Sequence, residues 1–234
     1  MKKILILILV LLTPVLSFGQ LSSGSEFLQS GGVLLNTVAP SEEPQEPEPA
    51  AYTDDFESYS TGVLSGQGNW GNGLNAFSVG EVGEDKQIGS NTANSVTALT
   101  YNGDVNNDQY AEITCDAVGT GRFMGVMVRM SGSGATLCGY GYYTSNSTQR
   151  LFRIDNGVKT NLGTAGAASL TAPVTLRLEV SGTTLTAYRN GSIDTGVGTN
   201  GTATVTEYTS GKTGLSGYHN SGGTYGDDWK GGDL

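Results

Sequence analysis

Gln109-Tyr-Ala-Glu-Ile-Thr-Cys-Asp-Ala-Val118 alternates along its whole length. Ala111, Ile113, Cys115 and Ala117 fall on one side, and Tyr110, Glu112, Thr114 and Asp116 on the other. A period of two with one apolar side describes a β-strand whose sheet packs on one face and meets water on the other. The pattern repeats along the chain. Phe123 to Met130 sets Met124, Val126, Val128 and Met130 against Phe123, Gly125, Met127 and Arg129. Phe152 and Ile154 share a side within Leu151 to Asp155. Pro173 to Ser181 sets Leu176, Leu178 and Val180 against Arg177 and Glu179, and Thr183 to Asn190 sets Leu185 and Ala187 against Thr186 and Tyr188.

Turn chemistry separates these runs. Asp155-Asn156-Gly157 and Asn190-Gly191 are hairpin signals, because asparagine and glycine accept positive φ. Ser131-Gly132-Ser133-Gly134 and Ser181-Gly182 punctuate in the same way. No long amphipathic stretch interrupts them. The expected fold is all-β: a two-sheet antiparallel β-sandwich of the jelly-roll kind over residues 52–234, with almost no helix.

Composition agrees. Of 234 residues 36 are glycine, roughly twice the ordinary share of about 7%, and no Gly-X-Y period makes the chain collagen-like. Only 15% are charged, against about 25% in ordinary domains. This argues against helical bundles and large α/β enzymes. One histidine leaves little scope for histidine chemistry, and His219 sits in a Gly/Ser-rich stretch with no second histidine. With a net charge of −10 the chain lacks the basic footprint of a nucleic-acid binder.

The ends read differently. Lys2 and Lys3 followed by the apolar run Ile4 to Leu12, Pro14 and Ser17-Phe18-Gly19-Gln20 form a secretory leader over residues 1–20. Its removal takes two lysines and makes the remainder more acidic, which disfavours anionic membranes. The expected address is the periplasm, cell surface or exterior of a bacterium, with no membrane attachment after cleavage. Residues 21–51 form a Pro/Glu-rich spacer, carrying Pro40, Pro44, Pro47 and Pro49 among Glu42, Glu43, Glu46 and Glu48. The short apolar patch Gly31 to Leu35 either adds a strand or stays loose.

The ordered set of motifs resembles the secreted concanavalin A-like (laminin-G-like) lectin/glucanase jelly rolls. The set runs Asp54-Asp55-Phe56, Gly68-Asn69-Trp70, Gly125-Val-Met-Val-Arg129, Leu151-Phe-Arg-Ile-Asp-Asn-Gly157, Leu176-Arg-Leu-Glu-Val-Ser-Gly182, Leu185-Thr-Ala-Tyr-Arg-Asn-Gly191, Gly214-Leu-Ser-Gly-Tyr218 and Gly226-Asp-Asp-Trp-Lys-Gly-Gly-Asp-Leu234. The resemblance implies two curved sheets with the chain ends meeting. It further implies a carbohydrate-binding or adhesion role for many members and glycosidase activity for some.

Three chemistries follow. Glycosidases place two carboxylates across the scissile bond, and the resemblance implies a Glu-x-Asp-x-Glu strand for catalytic members. No such run occurs, so a non-catalytic reading leads and hydrolysis is the weaker alternative. The 11 tyrosines all fall after residue 51. Tyr143, Tyr188 and Trp70, with Arg129 and Arg153, are the candidate lining of a shallow groove for a polysaccharide or surface glycan. A structural module of a cell-surface or viral appendage is the other alternative. Finally, if the ends pair, Asp54, Asp55, Asp227 and Asp228 gather, and a structural calcium relieves their repulsion, with Asp228 as leading ligand. Cys115 and Cys138 are expected to stay free. In a meander the strand Phe123–Met130 lies between theirs, and two strand spacings of about 4.8 Å exceed the reach of a disulfide.

Overall fold

The structure, a computed structural model, describes residues 49, 51–82, 84–90, 95–117, 123–145, 147–167, 171–218 and 225–234. The chain divides into two units, Met1–Gln45 and Glu46–Leu234, and the described residues belong to the second. The leader, nearly all of the spacer, and His219 lie outside the described residues.

In chain order the strands are β1 (Ala51–Asp54), β2 (Gly62–Val63), β3 (Trp70–Leu74), β4 (Phe77–Val82), β5 (Asp85–Ser90), β6 (Val96–Tyr101), β7 (Gln109–Ala117), β8 (Phe123–Ser131), β9 (Cys138–Thr144), β10 (Gln149–Asp155), β11 (Val158–Gly166), β12 (Val174–Ser181), β13 (Thr184–Arg189), β14 (Ser192–Ile193), β15 (Thr202–Thr204), β16 (Lys212–Tyr218) and β17 (Tyr225–Asp233). One short 3-10 turn, Gly134–Thr136, is the only helical element among the described residues. A ten-stranded sheet runs β14-β13-β12-β7-β17-β5-β4-β2, with β1 added on β17 and β15 on β13. A seven-stranded sheet runs β11-β10-β9-β8-β16-β6-β3. All the named strand pairs are antiparallel, as a jelly-roll sandwich requires.

Alternation builds the core. Along β12, Val174, Leu176, Leu178 and Val180 are buried while Arg177 and Glu179 are half-buried. Ala111, Ile113 and Cys115 do the same on β7. These rows meet Met124, Val126 and Val128 of β8 and Tyr140 and Tyr142 of β9 in one cluster between the sheets. Trp229 of β17 bridges the layers. Its ring lies 5.0 Å from Trp70 and 4.7 Å from Tyr101, which belong to the opposite sheet. The first and last strands of the described domain do meet: β1 pairs with β17 in the register Asp54↔Trp229 and Ala51↔Gly232.

The strand β8 departs from its expected pattern twice. It is buried on both faces, because it lies inside the seven-stranded sheet and a second apolar cluster covers that sheet's outer side. Met130 also changes side. Arg129 takes φ 51, and the register with β9 slips between Val128 and Ser131. This bulge turns Met130 outward to join Met127, Phe123 and Phe152.

Both cysteines are free, for a different reason from the expected one. β7 and β8 are not neighbours in a meander. Cys115 faces the core from the ten-stranded sheet, whereas Cys138 begins β9 in the other. Burial pushes the Cys115 thiol well above its ordinary value. Half-buried Cys138 accepts a hydrogen bond from the Asn156 amide at 3.4 Å. Titration with a thiol reagent should therefore label one cysteine, Cys138, in the native protein and both after denaturation. Two fast native thiols would contradict the placement of Cys115.

Candidate functional site

The five residues expected to line a groove occupy separate places. Trp70 is 1% exposed, and its Nε1 donates to Asp54 Oδ2 at 2.7 Å. Arg129 is 2% exposed. The bulge that moves Met130 also turns the guanidinium inward, where it donates to the carbonyls of Asn107 (3.0 Å), Tyr208 (3.2 Å) and Gly182 (2.8 Å). Burial lowers its pKa, with Asp108 acting in the opposite sense. It straps loops together and offers nothing to a ligand. Arg153 is held by Asp155, at 2.7 Å, and by Glu207. The backbone amides of Glu207 and Thr206, and then Arg153, hold the Glu207 carboxyl down at about 2. Tyr188 lies beside Arg177 on the outside of the ten-stranded sheet. Only Tyr143 of the five stands on the outer face of the seven-stranded sheet.

The acids also separate. Asp54, Asp55 and Asp228 line a depression of about 500 Å³ with Tyr59, Trp229 and Lys230, where the terminal strands meet. Asp54 is committed there: Oδ1 accepts the Phe56 amide at 2.9 Å, and Oδ2 accepts the Tyr59 hydroxyl at 2.5 Å as well as Trp70. Asp227 joins a different group. Its carboxylate and those of Asp85 and Asp116 lie within 4.8 Å of one another. Gln87 Nε2 donates to Asp116 at 3.0 Å and Asp85 at 3.2 Å. Burial first, then the charges of Asp228, Asp85 and Asp116, push the Asp227 carboxyl up to about 6. The separation arises at a second bulge, where Asp228 adopts φ 50 and the register with β7 slips between Asp227 and Lys230.

The outer face of the seven-stranded sheet carries the features that alternation alone did not reveal. Phe123 stacks on Tyr143 with ring centroids 3.8 Å apart and on Tyr218 at 5.2 Å. Phe152 lies against Gly141, where an added Cβ would come within 2.1 Å of its ring, so only glycine admits it. Lys159 places Nζ 4.7 Å from the centre of Tyr143 and donates to its hydroxyl at 3.3 Å. At the other end of this face a depression of about 460 Å³ is lined by Thr100, Asn102, Met130, Ser131, Ser133 and Lys212. Met130 gives it an apolar floor, while hydroxyls, an amide and an ammonium form the rim. The sequence did hold one signal for this surface. Phe123 to Val128 is apolar at both alternations, as a strand buried on two faces must be.

These features define the class as a two-sheet antiparallel jelly roll. No family model and no curated protein matches the chain. Among solved structures it is similar to a protein of unknown function from Shewanella oneidensis, at 14% identity and a TM-score of 0.50, over 79% of this chain and 85% of that one. It is also similar to the carbohydrate-binding module CBM66 from Bacillus subtilis, at 14% identity and a TM-score of 0.49 over 70% and 92% of the two chains. The Bacillus licheniformis beta-glucanase matches at 11% and 0.44 over 80% and 100%. At 14% identity the likeness to the Shewanella protein speaks to fold and not to activity.

The Asp227 environment has a pH consequence. The folded carboxyl titrates at about 6, against about 3.9 in an unfolded chain. Between these values the native state binds the extra proton, so stability falls as pH rises from about 4 to about 6. In a chelator-containing buffer, Asp227→Asn should raise Tm at pH 7.5, and the gain should vanish below about pH 4. A lower Tm for the variant at pH 7.5 would contradict the crowding described.

Proposed function

We propose that this domain is a secreted or cell-surface bacterial module that binds carbohydrate without covalent chemistry, on the outer face of its seven-stranded sheet. The observation that carries this is the Met130-floored depression. Sugars present apolar C–H faces and many hydroxyls, and this site offers an apolar floor with a rim of Thr100, Asn102, Ser131, Ser133 and Lys212. The described outer positions of that sheet hold no Asp or Glu, which supports binding over hydrolysis there. A glycan array followed by calorimetry tests the reading. The double variant Asn102→Ala/Ser133→Ala should weaken the best sugar by about thirtyfold, since each of the two hydrogen bonds to a ligand is worth about 1 kcal/mol. Tyr188→Ala, on the opposite sheet, should leave it unchanged. Binding untouched by the double variant would remove the site, and no saturable sugar binding would favour a structural module.

One observation favours a second reading, glycoside hydrolysis. Asp85, Asp116 and Asp227 sit close together, and burial with the neighbouring charges pushes Asp227 up to about 6, toward the range of a general acid. Product release from an oligosaccharide panel, lost in Asp227→Asn, would establish it.

We also propose a structural calcium at the terminal strands. The donor set partly fits. Asp54 is taken up by three donors and Asp227 faces elsewhere, which leaves the carboxylates of Asp55 and Asp228. Saturating calcium should raise Tm over the chelated protein, equivalent to about 2.7 kcal/mol at a hundredfold excess over Kd. Asp228→Asn should abolish the rise. Equal Tm values with calcium and with chelator would end the proposal.

A further inference from the structure

The two outer faces of the sandwich differ in charge. The ten-stranded sheet presents Glu112, Glu179, Asp116 and Asp227, and its Arg177 and Lys230 are engaged by them: Arg177 with Glu179 at 2.7 Å, Lys230 with Glu112 at 3.2 Å. On the seven-stranded sheet the register brings Arg150 beside Tyr143, Lys159 beside Ile154 and Lys212 beside Met130. Among the described residues none of these three cations has a carboxylate within ion-pair distance. Lys159 Nζ meets only the Tyr143 hydroxyl and nearby rings, and Lys212 Nζ donates to the Asn102 carbonyl at 2.8 Å. In a chain of net charge −10, the described residues of this face set cations at both ends with no carboxylate among them, a field that favours a negative ligand.

The two ends lie a saccharide's length apart. Gly125 pairs with Tyr143, which pairs in turn with Arg150, and Met130 pairs with Lys212. From Gly125 to Met130 along β8 is about 16 Å at about 3.3 Å per residue, the length of a short oligosaccharide. Between the ends, Gly125, Ser216 and Ala98 stand side by side on three adjacent strands, and Ser216 is 0% exposed, so the contacts open to a ligand are those at the two ends.

We infer that the ligand of this face is an acidic saccharide, whose carboxylate or sulfate groups are held by Lys212 at one end and by Arg150 and Lys159 at the other. This rests on the carbohydrate reading and names its substrate class. The test measures binding of three probes to the whole protein in chelator at low salt: uronate oligosaccharides from alginate, sulfated oligosaccharides from carrageenan, and neutral laminarin oligosaccharides. At least one acidic probe should bind about tenfold or more tighter than laminarin, as one charge-assisted hydrogen bond allows, and the preference should fall steeply between 20 mM and 500 mM salt, since such charges are screened beyond about 10 Å at 0.1 M. The uronate and sulfate arms identify which anion is read. Arg150→Gln/Lys212→Gln should erase the preference, and Lys230→Gln on the other sheet should leave it unchanged. Equal or tighter binding of laminarin that is lost in Asn102→Ala/Ser133→Ala overturns the acidic class and leaves the carbohydrate reading intact. A salt-insensitive preference, or one unchanged in Arg150→Gln/Lys212→Gln, also overturns it. Failure of all three probes, with no sugar bound elsewhere, overturns both.

Discussion

The closure of this sandwich turns on Trp229. Its indole must reach the space between the sheets, where it meets Trp70 and Tyr101 across the core. The strand carrying it must also pair along one edge with β7 and along the other with β5 and then β1. A strictly alternating strand cannot meet both demands, and the left-handed Asp228 supplies the extra residue. Much follows from that step. β1 finds its place, and the terminal strands of the domain come together. The Asp54 carboxylate reaches Trp70 and Tyr59, where burial and its charge raise the Tyr59 hydroxyl well above its ordinary range. The adjacent Asp227 and Asp228 are sent to different neighbourhoods.

A second constraint shapes the functional face. The seven-stranded sheet is apolar on both sides, since its inner rows close the main core and its outer rows form the cluster around Met127 and Phe152. Packing side chains on both faces of a curved sheet leaves little room, and glycine and alanine recur at Gly125, Gly141, Gly214 and Ala98. At Gly141 the missing Cβ is the space Phe152 fills. Charge then partitions: the opposite sheet neutralises its cations with Glu112 and Glu179, while this one leaves Arg150, Lys159 and Lys212 without carboxylates. Burial and Arg150 lower the Lys159 pKa, yet its ammonium still faces three aromatic rings.

The sandwich itself was legible in β7, β12 and β13, because those strands have one wet face and one dry one and alternation records the difference. It was less legible in β8, where both faces are dry, and it failed at Arg129. A bulge has no residue signature when a non-glycine residue adopts the left-handed conformation, so the arginine was placed on the polar side although its guanidinium is held by three backbone carbonyls and Asp108. Trp70 misled for a related reason: an indole serves a core as well as a sugar site, and only the position of Asp54 distinguishes them. The pairing of the chain ends could be anticipated from the resemblance, but the separation of Asp227 from Asp54 and Asp55 could not, since it depends on the bulge at Asp228. Tyr143 was placed on the proposed functional face, and its neighbours Phe123, Phe152 and Tyr218 were recovered only from the strand order.

The central claim is that the outer face of the seven-stranded sheet receives the saccharide, and β8 carries the reporters for it. Met124 lies in the inter-sheet core, while Met130 floors the depression on the outer face. Carbon-13 labelling of the methionine methyl groups lets NMR follow both during titration with the tightest sugar from the array. The Met130 resonance should move saturably, with the same Kd as calorimetry gives, while Met124 stays in place. Saturable binding that leaves Met130 unmoved would contradict the account and put the sugar elsewhere on the protein.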